Sequence, residues 1–339
     1  MSNDTLEVGL FGTGRIGRLH AQHLAYSIPG AHLRSIADID TNSASACAAN
    51  CRVDRVESDY RRILDDDGVQ AVVICTPTDS HARLIEEAAQ AGKHIFCEKP
   101  IAHSLIDIDR ALDAAEKARV KLQIGFNRRF DANFSRVRKA LRSGEIGAPL
   151  LLHIISRDPA PPPVEYVKKS GGIFLDMTIH DFDMARFLMG CEVEEVFTSA
   201  AVKVDPAIGA AGDYDTAVIM LRYTNGVIGT IDNCRKAVYG YDQRVEVLGS
   251  DGGIHVDNNY PNTAIVSDSA SVRRDLPLNF FMERYTESFL TEMRSFVRAV
   301  LLDEPVEVTG ADGRAAVVMG LAARKSKEEN RPVKLSEIT

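Results

Sequence analysis

No run of about 18 apolar residues occurs in the 339-residue chain, so no segment is expected to span a membrane. The opening residues, MSNDTLEVGLFGTG, lack a basic stretch ahead of their short apolar run. They read as a first strand and not as a secretory signal, and a cytoplasmic location is the expectation. Positive charge is in deficit: 40 Lys+Arg stand against 48 Asp+Glu, a net charge of -8. Phosphate contacts need a basic surface, so no nucleic-acid partner is expected. The one local basic run, Arg136 to Arg142, reads as a solvated helix face. Cysteine is scarce. The six (Cys47, Cys51, Cys75, Cys97, Cys191 and Cys234) form no CxxC pair, which argues against a zinc site or a disulfide framework and fits a reducing compartment. Cys75 and Cys97 lie in apolar strand-like runs, where cysteine behaves as a small hydrophobe. What is present, 45% hydrophobic and 26% charged residues, is ordinary for a globular protein, and the length suggests two domains.

The first third alternates two patterns. LEVGLFG (6–12), AHLRSIAD (31–38), AVVICTP (71–77), HIFCEKP (94–100) and KLQIGF are continuous apolar runs, which mark parallel strands covered on both faces. Helical stretches lie between them, and the repeated βα units predict a doubly wound open sheet. After Phe126 the pattern changes. A helix over about 131–142, strand-like LLLHIISR, a Pro-rich loop (158–166) and a helix from about Gly172 to Gly190 are followed by four closely spaced strand candidates. Thr224-Asn225-Gly226 between two of them is a hairpin signal. This half is expected to be α+β with a largely antiparallel sheet, closed by helices over about 284–302 and 311–329. The expected domains are 1–125 and 126–339.

Gly12-Thr13-Gly14-Arg15-Ile16-Gly17 is a GxGxxG that follows a strand and opens a helix, the setting in which the pattern is specific for a dinucleotide. Gly12 permits the tight turn, Gly14 lets the backbone approach a pyrophosphate, and Gly17 allows close helix–strand packing. The helix N-terminus offers free N–H groups to the anion. Asp38, 21 residues after Gly17 at the end of the second strand, stands where a carboxylate accepts hydrogen bonds from ribose hydroxyls and repels a 2′-phosphate. NAD is therefore expected over NADP.

Two further clusters carry chemistry. Glu98-Lys99-Pro100 ends a strand of the parallel sheet, and ligands of such sheets bind at the carboxyl ends of strands. Residue types leave the Lys99–Pro100 peptide open to either isomer. In GGIFLDMTIHDFD, Asp176, His180 and Asp183 are spaced i, i+4, i+7, which on one helix places them on one face. Three readings stand side by side: a core histidine satisfied by Asp176, a metal site, and an acid–base site in which Asp176 orients His180.

FGTGRIG, FCEKP, GFNRRFD, GGIFLDMTIHDFDMARF and KAVYGYDQRVEVLGSDGGI together resemble the glucose-fructose oxidoreductase/inositol dehydrogenase/MocA family, its inositol dehydrogenases most of all, in the family's motif order and over essentially the whole chain. The resemblance implies a Rossmann domain and a second domain for substrate and assembly, in a homotetramer. It implies Lys99, Asp176 and His180 as catalytic residues, and Asn127, Arg128, Asp158 and Tyr239 or Tyr241 near the substrate. Thr76, Pro77, His81 and Glu98 join the glycine loop and Asp38 around the cofactor. The implied reaction is NAD-dependent oxidation of a cyclic polyol, myo-inositol before scyllo-inositol or an aldose, without a metal. A dinucleotide-sensing regulator without turnover is the reading from another functional class.

Overall fold

The computed structural model describes residues 5–339. The chain divides into two units. The first comprises residues 1–127 and 287–315, the second 128–286 and 316–339. One crossing thus falls at Asn127/Arg128. A single boundary at 125/126 does not capture the later return of 287–315 to the first unit.

In the first unit, β1 (Leu6–Phe11), β2 (Ala31–Ala37), β3 (Arg55–Glu57), β4 (Ala71–Ile74), β5 (His94–Glu98) and β6 (Leu122–Gly125) form one sheet in the order β3-β2-β1-β4-β5-β6. Every pairing is parallel. The strand order reverses between β1 and β4, and the glycine loop follows β1 at that point. Val8, Leu10, Val73 and Phe96 are fully buried and pack with Leu24, Ile36 and Phe296 in one core cluster. This explains why the strands show no polar alternation. Helix 41–51 is capped by Asp40, whose carboxylate accepts the N–H groups of Asn42 and Ser43, and helix 105–118 by Ser104.

In the second unit, β7 (Pro149–Arg157), β8 (Val193–Ala201), β9 (Thr216–Tyr223), β10 (Ile228–Cys234), β11 (Asp242–Gly249), β12 (Gly253–Val256) and the short β15 (Val333–Lys334) form a sheet in the order β12-β11-β7-β10-β9-β8-β15. β13 (Ile265–Ser267) and β14 (Val272–Arg274) make a separate hairpin. The large sheet is antiparallel apart from the parallel pair β7–β10. The β9–β10 hairpin turns at Gly226, whose φ of 86° suits glycine. Burial alternates along β9, β10 and β11, so one sheet face is packed and the other is open. On the open face Leu151 stands opposite Ile228 and Leu248, and Met220 opposite Thr230.

The helix expected over 172–190 is two helices, Gly172–Asp176 and Ile179–Met189. At the junction the Thr178 N–H reaches the Ile173 carbonyl five residues back, while Asp181 N–H bonds Thr178 only three back. The i, i+4, i+7 face therefore does not hold as one strip. Gly171 and Gly172, at φ 87° and 78°, open the pair, and the Asp213 carboxylate accepts the Ile173 N–H beside them. A side chain at Gly172 would stand 2.6 Å from Asp213 Oδ1. The Pro-rich loop is shorter than expected, because Val164–Ser170 is already helical.

Candidate active site

In the first unit the glycine loop meets the dinucleotide requirements position by position. Gly12 has φ +90°, and a Cβ there would stand 2.7 Å from the Cys75 carbonyl oxygen. A Cβ on Gly17 would collide with the Gly12 carbonyl. Gly14 has no heavy atom within 4 Å of its Cβ position, so the backbone is open to a ligand there. Gly14 also precedes helix Arg15–Tyr26 without any side-chain cap, which leaves first-turn N–H groups for an anion. Arg15 is exposed beside it, Ile16 half-buried. Asp38, one residue past β2, accepts the Thr13 N–H at 2.6 Å and its hydroxyl at 2.8 Å through Oδ2, and the Asp40 N–H through Oδ1. A carboxylate has about four acceptor positions, so capacity for a ribose hydroxyl remains. Thr13, Gly14, Arg15, Arg18, Asp38, Asp40 and Ser43 line one open cleft. The residues present fit a dinucleotide. Ile39, 94% exposed directly after Asp38, adds an apolar surface suited to a planar base. Sequence reasoning passed over it, although an isoleucine in a polar strand-end loop was the available signal.

The ends of β4 and β5 carry the next group. Lys99 is half-buried and its peptide to Pro100 is cis. Thr76 is half-buried and Pro77 exposed, just ahead of helix Thr78–Gln90. His81 corrects its expectation. It is 1% exposed, with Nδ1 2.8 Å from the Pro100 carbonyl and Nε2 2.7 Å from the Thr76 carbonyl. Burial holds its pKa below the ordinary imidazole value. Both nitrogens face carbonyl oxygens, of which the neutral ring can donate to only one, so neither is left to meet a cofactor directly. Glu98 accepts a hydrogen bond from His20. Asn127, the last residue of this unit, is buried with its amide nitrogen unpartnered.

In the second unit, every residue from Ile173 to Ala185 is buried except Asp176 and His180, which are half-exposed. A helix pair that is otherwise interior thus opens at the two positions with acid–base chemistry. Asp176 is held by two side chains absent from the expected set. Tyr166 donates to Oδ1 at 2.8 Å, and Arg235, 1% exposed, places Nη1 and Nη2 each 3.3 Å from Oδ2. Inward alternation along β10 through Ile231 and Asn233 was the signal for Arg235. Asp158 follows β7, and burial pushes its carboxyl up to about 6, with Arg235 opposing and Asp176 reinforcing the shift. That carboxyl is raised above its unfolded value, so its ionisation costs stability as pH rises from about 4 to about 6.

Three expected substrate residues are committed elsewhere. Arg128 is 5% exposed, donates to Asp181 at 2.6 Å, and reaches Ser156 and the Tyr241 hydroxyl at 3.4 Å each. Asp181 is itself fully buried and takes a second bond from Asn233. Buried charges persist only when paired in this way, so Arg128 and Tyr241 form an internal network. Tyr239 donates to Asp242 at 2.6 Å and accepts from Arg157 at 3.1 Å. Asp183, third in the expected strip, is buried against Arg129. The metal reading of that strip thus loses Asp183 to an ion pair.

The family model described as "Oxidoreductase family, NAD-binding Rossmann fold" matches residues 6–126, and "GFO/IDH/MocA C-terminal domain" matches 134–255. The chain belongs to the GFO/IDH/MocA oxidoreductase family. Within the family it is 48% identical over 333 residues to the myo-inositol 2-dehydrogenase of Thermotoga maritima, covering 98% of this chain and 99% of that one. It is 44% identical to the inositol 2-dehydrogenase of Rhizobium meliloti, over 98% and 100% of the two chains. The crystal structure of scyllo-inositol dehydrogenase from Lactobacillus casei with bound NAD(H) and scyllo-inositol superposes with a TM-score of 0.92 at 29% identity, covering 98% and 99%. GFO/IDH/MocA membership makes the chain an oxidoreductase with an NAD-binding domain. No described helix is long and apolar enough to cross a membrane.

Proposed function

We propose that this oxidoreductase oxidises myo-inositol to 2-keto-myo-inositol (scyllo-inosose) with NAD. The observation that carries the reading is the pair Asp176 and His180, half-exposed in an otherwise buried helix pair. An alcohol is a poor hydride donor until its proton leaves, so a base must take the hydroxyl proton. His180 takes that role. Asp176, held by Tyr166 and Arg235, stabilises the imidazolium and its orientation. Lys99 donates to the reacting oxygen and steadies the negative charge that gathers there. Bound NAD supplies the hydride acceptor at nicotinamide C4, and the glycine loop with Asp38 holds it. Asp158 and Asn127 are the remaining candidates for contact with ring hydroxyls. The full-length likeness to two inositol 2-dehydrogenases favours myo-inositol over scyllo-inositol or an aldose. A sensor without turnover has no support from these relatives.

A panel of myo-inositol, scyllo-inositol and aldoses, each with NAD and with NADP, tests this reading by the absorbance of the reduced cofactor. The highest kcat/KM is expected for myo-inositol with NAD. A higher value for another substrate replaces the assignment, and equal efficiency with NADP removes Asp38 from its role.

The open face of the large sheet exposes Leu151, Val218, Met220, Ile228 and Leu248, each more than two-fifths accessible. We propose that it is covered in a homotetramer, as apolar sheet faces of this extent mark association surfaces. Light scattering should give four times the 37.1 kDa chain mass; a monomeric mass contradicts the proposal. All six cysteines are free, which supports a cytoplasmic location.

A further inference from the structure

Behind the Glu98-Lys99-Pro100 strand end lies a polar cluster that the reaction above does not use. His20, on the helix that begins at the glycine loop, is fully buried, with Nε2 3.0 Å from Glu98 Oε1 and 3.9 Å from Glu292 Oε1. Glu292, on helix Thr286–Leu301, is also fully buried, and neither of its carboxyl oxygens has a hydrogen-bond partner. All three residues belong to the first unit. The surroundings are apolar: the His20 ring meets Phe96 edge-on at 5.2 Å and Phe289 at 6.0 Å. Glu98 lies at the mouth, its side chain 13% exposed, with its carboxyl 3.1 Å from the Cβ position of Gly125. Any larger residue at 125 would crowd it.

The charge state follows from the partners. His20 donates through Nε2 to Glu98, and Glu292 has no donor at either carboxyl oxygen. Two carboxylates cannot then both ionise beside each other in an apolar interior. Glu98 reaches the surface and accepts the hydrogen bond, so the proton resides on Glu292. The groups facing the cluster do not change this. His23, 6.1 Å from His20, has a pKa lowered to about 4, by burial first and then by His20 and Arg294, and is neutral. Burial raises the thiols of Cys75, beyond β4, and Cys97, on β5, and keeps them neutral. From β6, Gln123 donates to the Glu292 backbone carbonyl. Burial, then Glu98, moves Glu292 well above the ordinary carboxyl range.

We propose that Glu292 is a positioning residue, a carboxylic acid kept neutral at pH 7, which spares the His20–Glu98 hydrogen bond a second buried charge and thereby holds the strand end bearing Lys99. The cluster joins the glycine-loop helix to the lysine strand through one shared hydrogen bond. Ionisation of Glu292 at alkaline pH would set two buried like charges against each other and release Glu98, so this acid sets an upper pH limit on turnover. The turnover part rests on the dehydrogenase reading; the protonation part does not.

The experiment has two arms. In the first, the intact protein labelled with ¹³C-carboxyl glutamate is titrated by infrared spectroscopy. A protonated glutamate carbonyl band is expected to persist at pH 7 and disappear only at alkaline pH. Its absence at pH 7 overturns the proposal, whatever the substrate proves to be. In the second, Glu292→Gln, the neutral isostere, is compared with the wild type. It is expected to keep kcat at pH 7 within about threefold and to shift the alkaline fall of kcat/KM upward by about one pH unit or more. A tenfold or greater loss at pH 7 with an intact fold would show that the anion is needed, as would a stoichiometric metal found in the wild type but not in the variant. A pH profile identical to the wild type would reduce Glu292 to core packing. Either result overturns the proposal. Should the variant fail to fold, the infrared arm decides alone.

Discussion

Replacing His180 with alanine is expected to lower kcat on myo-inositol by about a hundredfold or more, the usual scale for loss of a general base. The argument rests on how sparingly the helix pair exposes polar chemistry: from Ile173 to Ala185 only Asp176 and His180 reach solvent. A base must be accessible to the hydroxyl it deprotonates, and the buried alternatives are spent. Asp181 is paired with Arg128 and Asp183 with Arg129. Steady-state kinetics checks the effect. Near-normal turnover would transfer the base role to another group, Asp158 being the first to examine.

The second large effect concerns Lys99. Lys99→Ala should reduce kcat by about a hundredfold as well as raise KM, because a cation at the reacting oxygen acts mainly where negative charge develops. Its support is structural: it leaves the carboxyl end of β5 next to Pro100, whose carbonyl lies 2.8 Å from His81 Nδ1. Lys99→Met, which keeps most of the stem and deletes the charge, should resemble the alanine variant. Initial-rate measurements with both substrates varied separate the terms. A rise in KM with kcat unchanged would show that Lys99 binds ground state and transition state alike.

The parallel sheet and glycine loop were legible in the sequence because each rests on local signals. Continuous apolar runs follow from burial on both faces, and the three glycines meet three separate backbone demands that the structure displays one by one. The end of β5 ahead of Lys99 was legible as a strand end for the same reason. What could not be read depends on contacts distant in the chain. Arg128 lies in a motif that points to substrate, yet Asp181, 53 residues on, draws it into a buried ion pair. Arg235 reaches Asp176 across 59 residues, and Tyr166 does so from a segment expected only as a Pro-rich loop. The helix break at Met177–Thr178 arises from a hydrogen bond five residues long, which no residue-type preference announces. Residue types at regular spacing disclosed the frame, whereas the partners that hold polar side chains became visible only in three dimensions.

The central claim is that this chain moves a hydride from a ring carbon of the polyol directly to the cofactor. Incubating the wild-type protein with NAD and myo-inositol deuterated at C2, then analysing the reduced cofactor by mass spectrometry and NMR, tests it most directly. One deuterium at nicotinamide C4 in each reduced cofactor is the result expected; reduced cofactor without the label, or no reduced cofactor at all, would contradict the account.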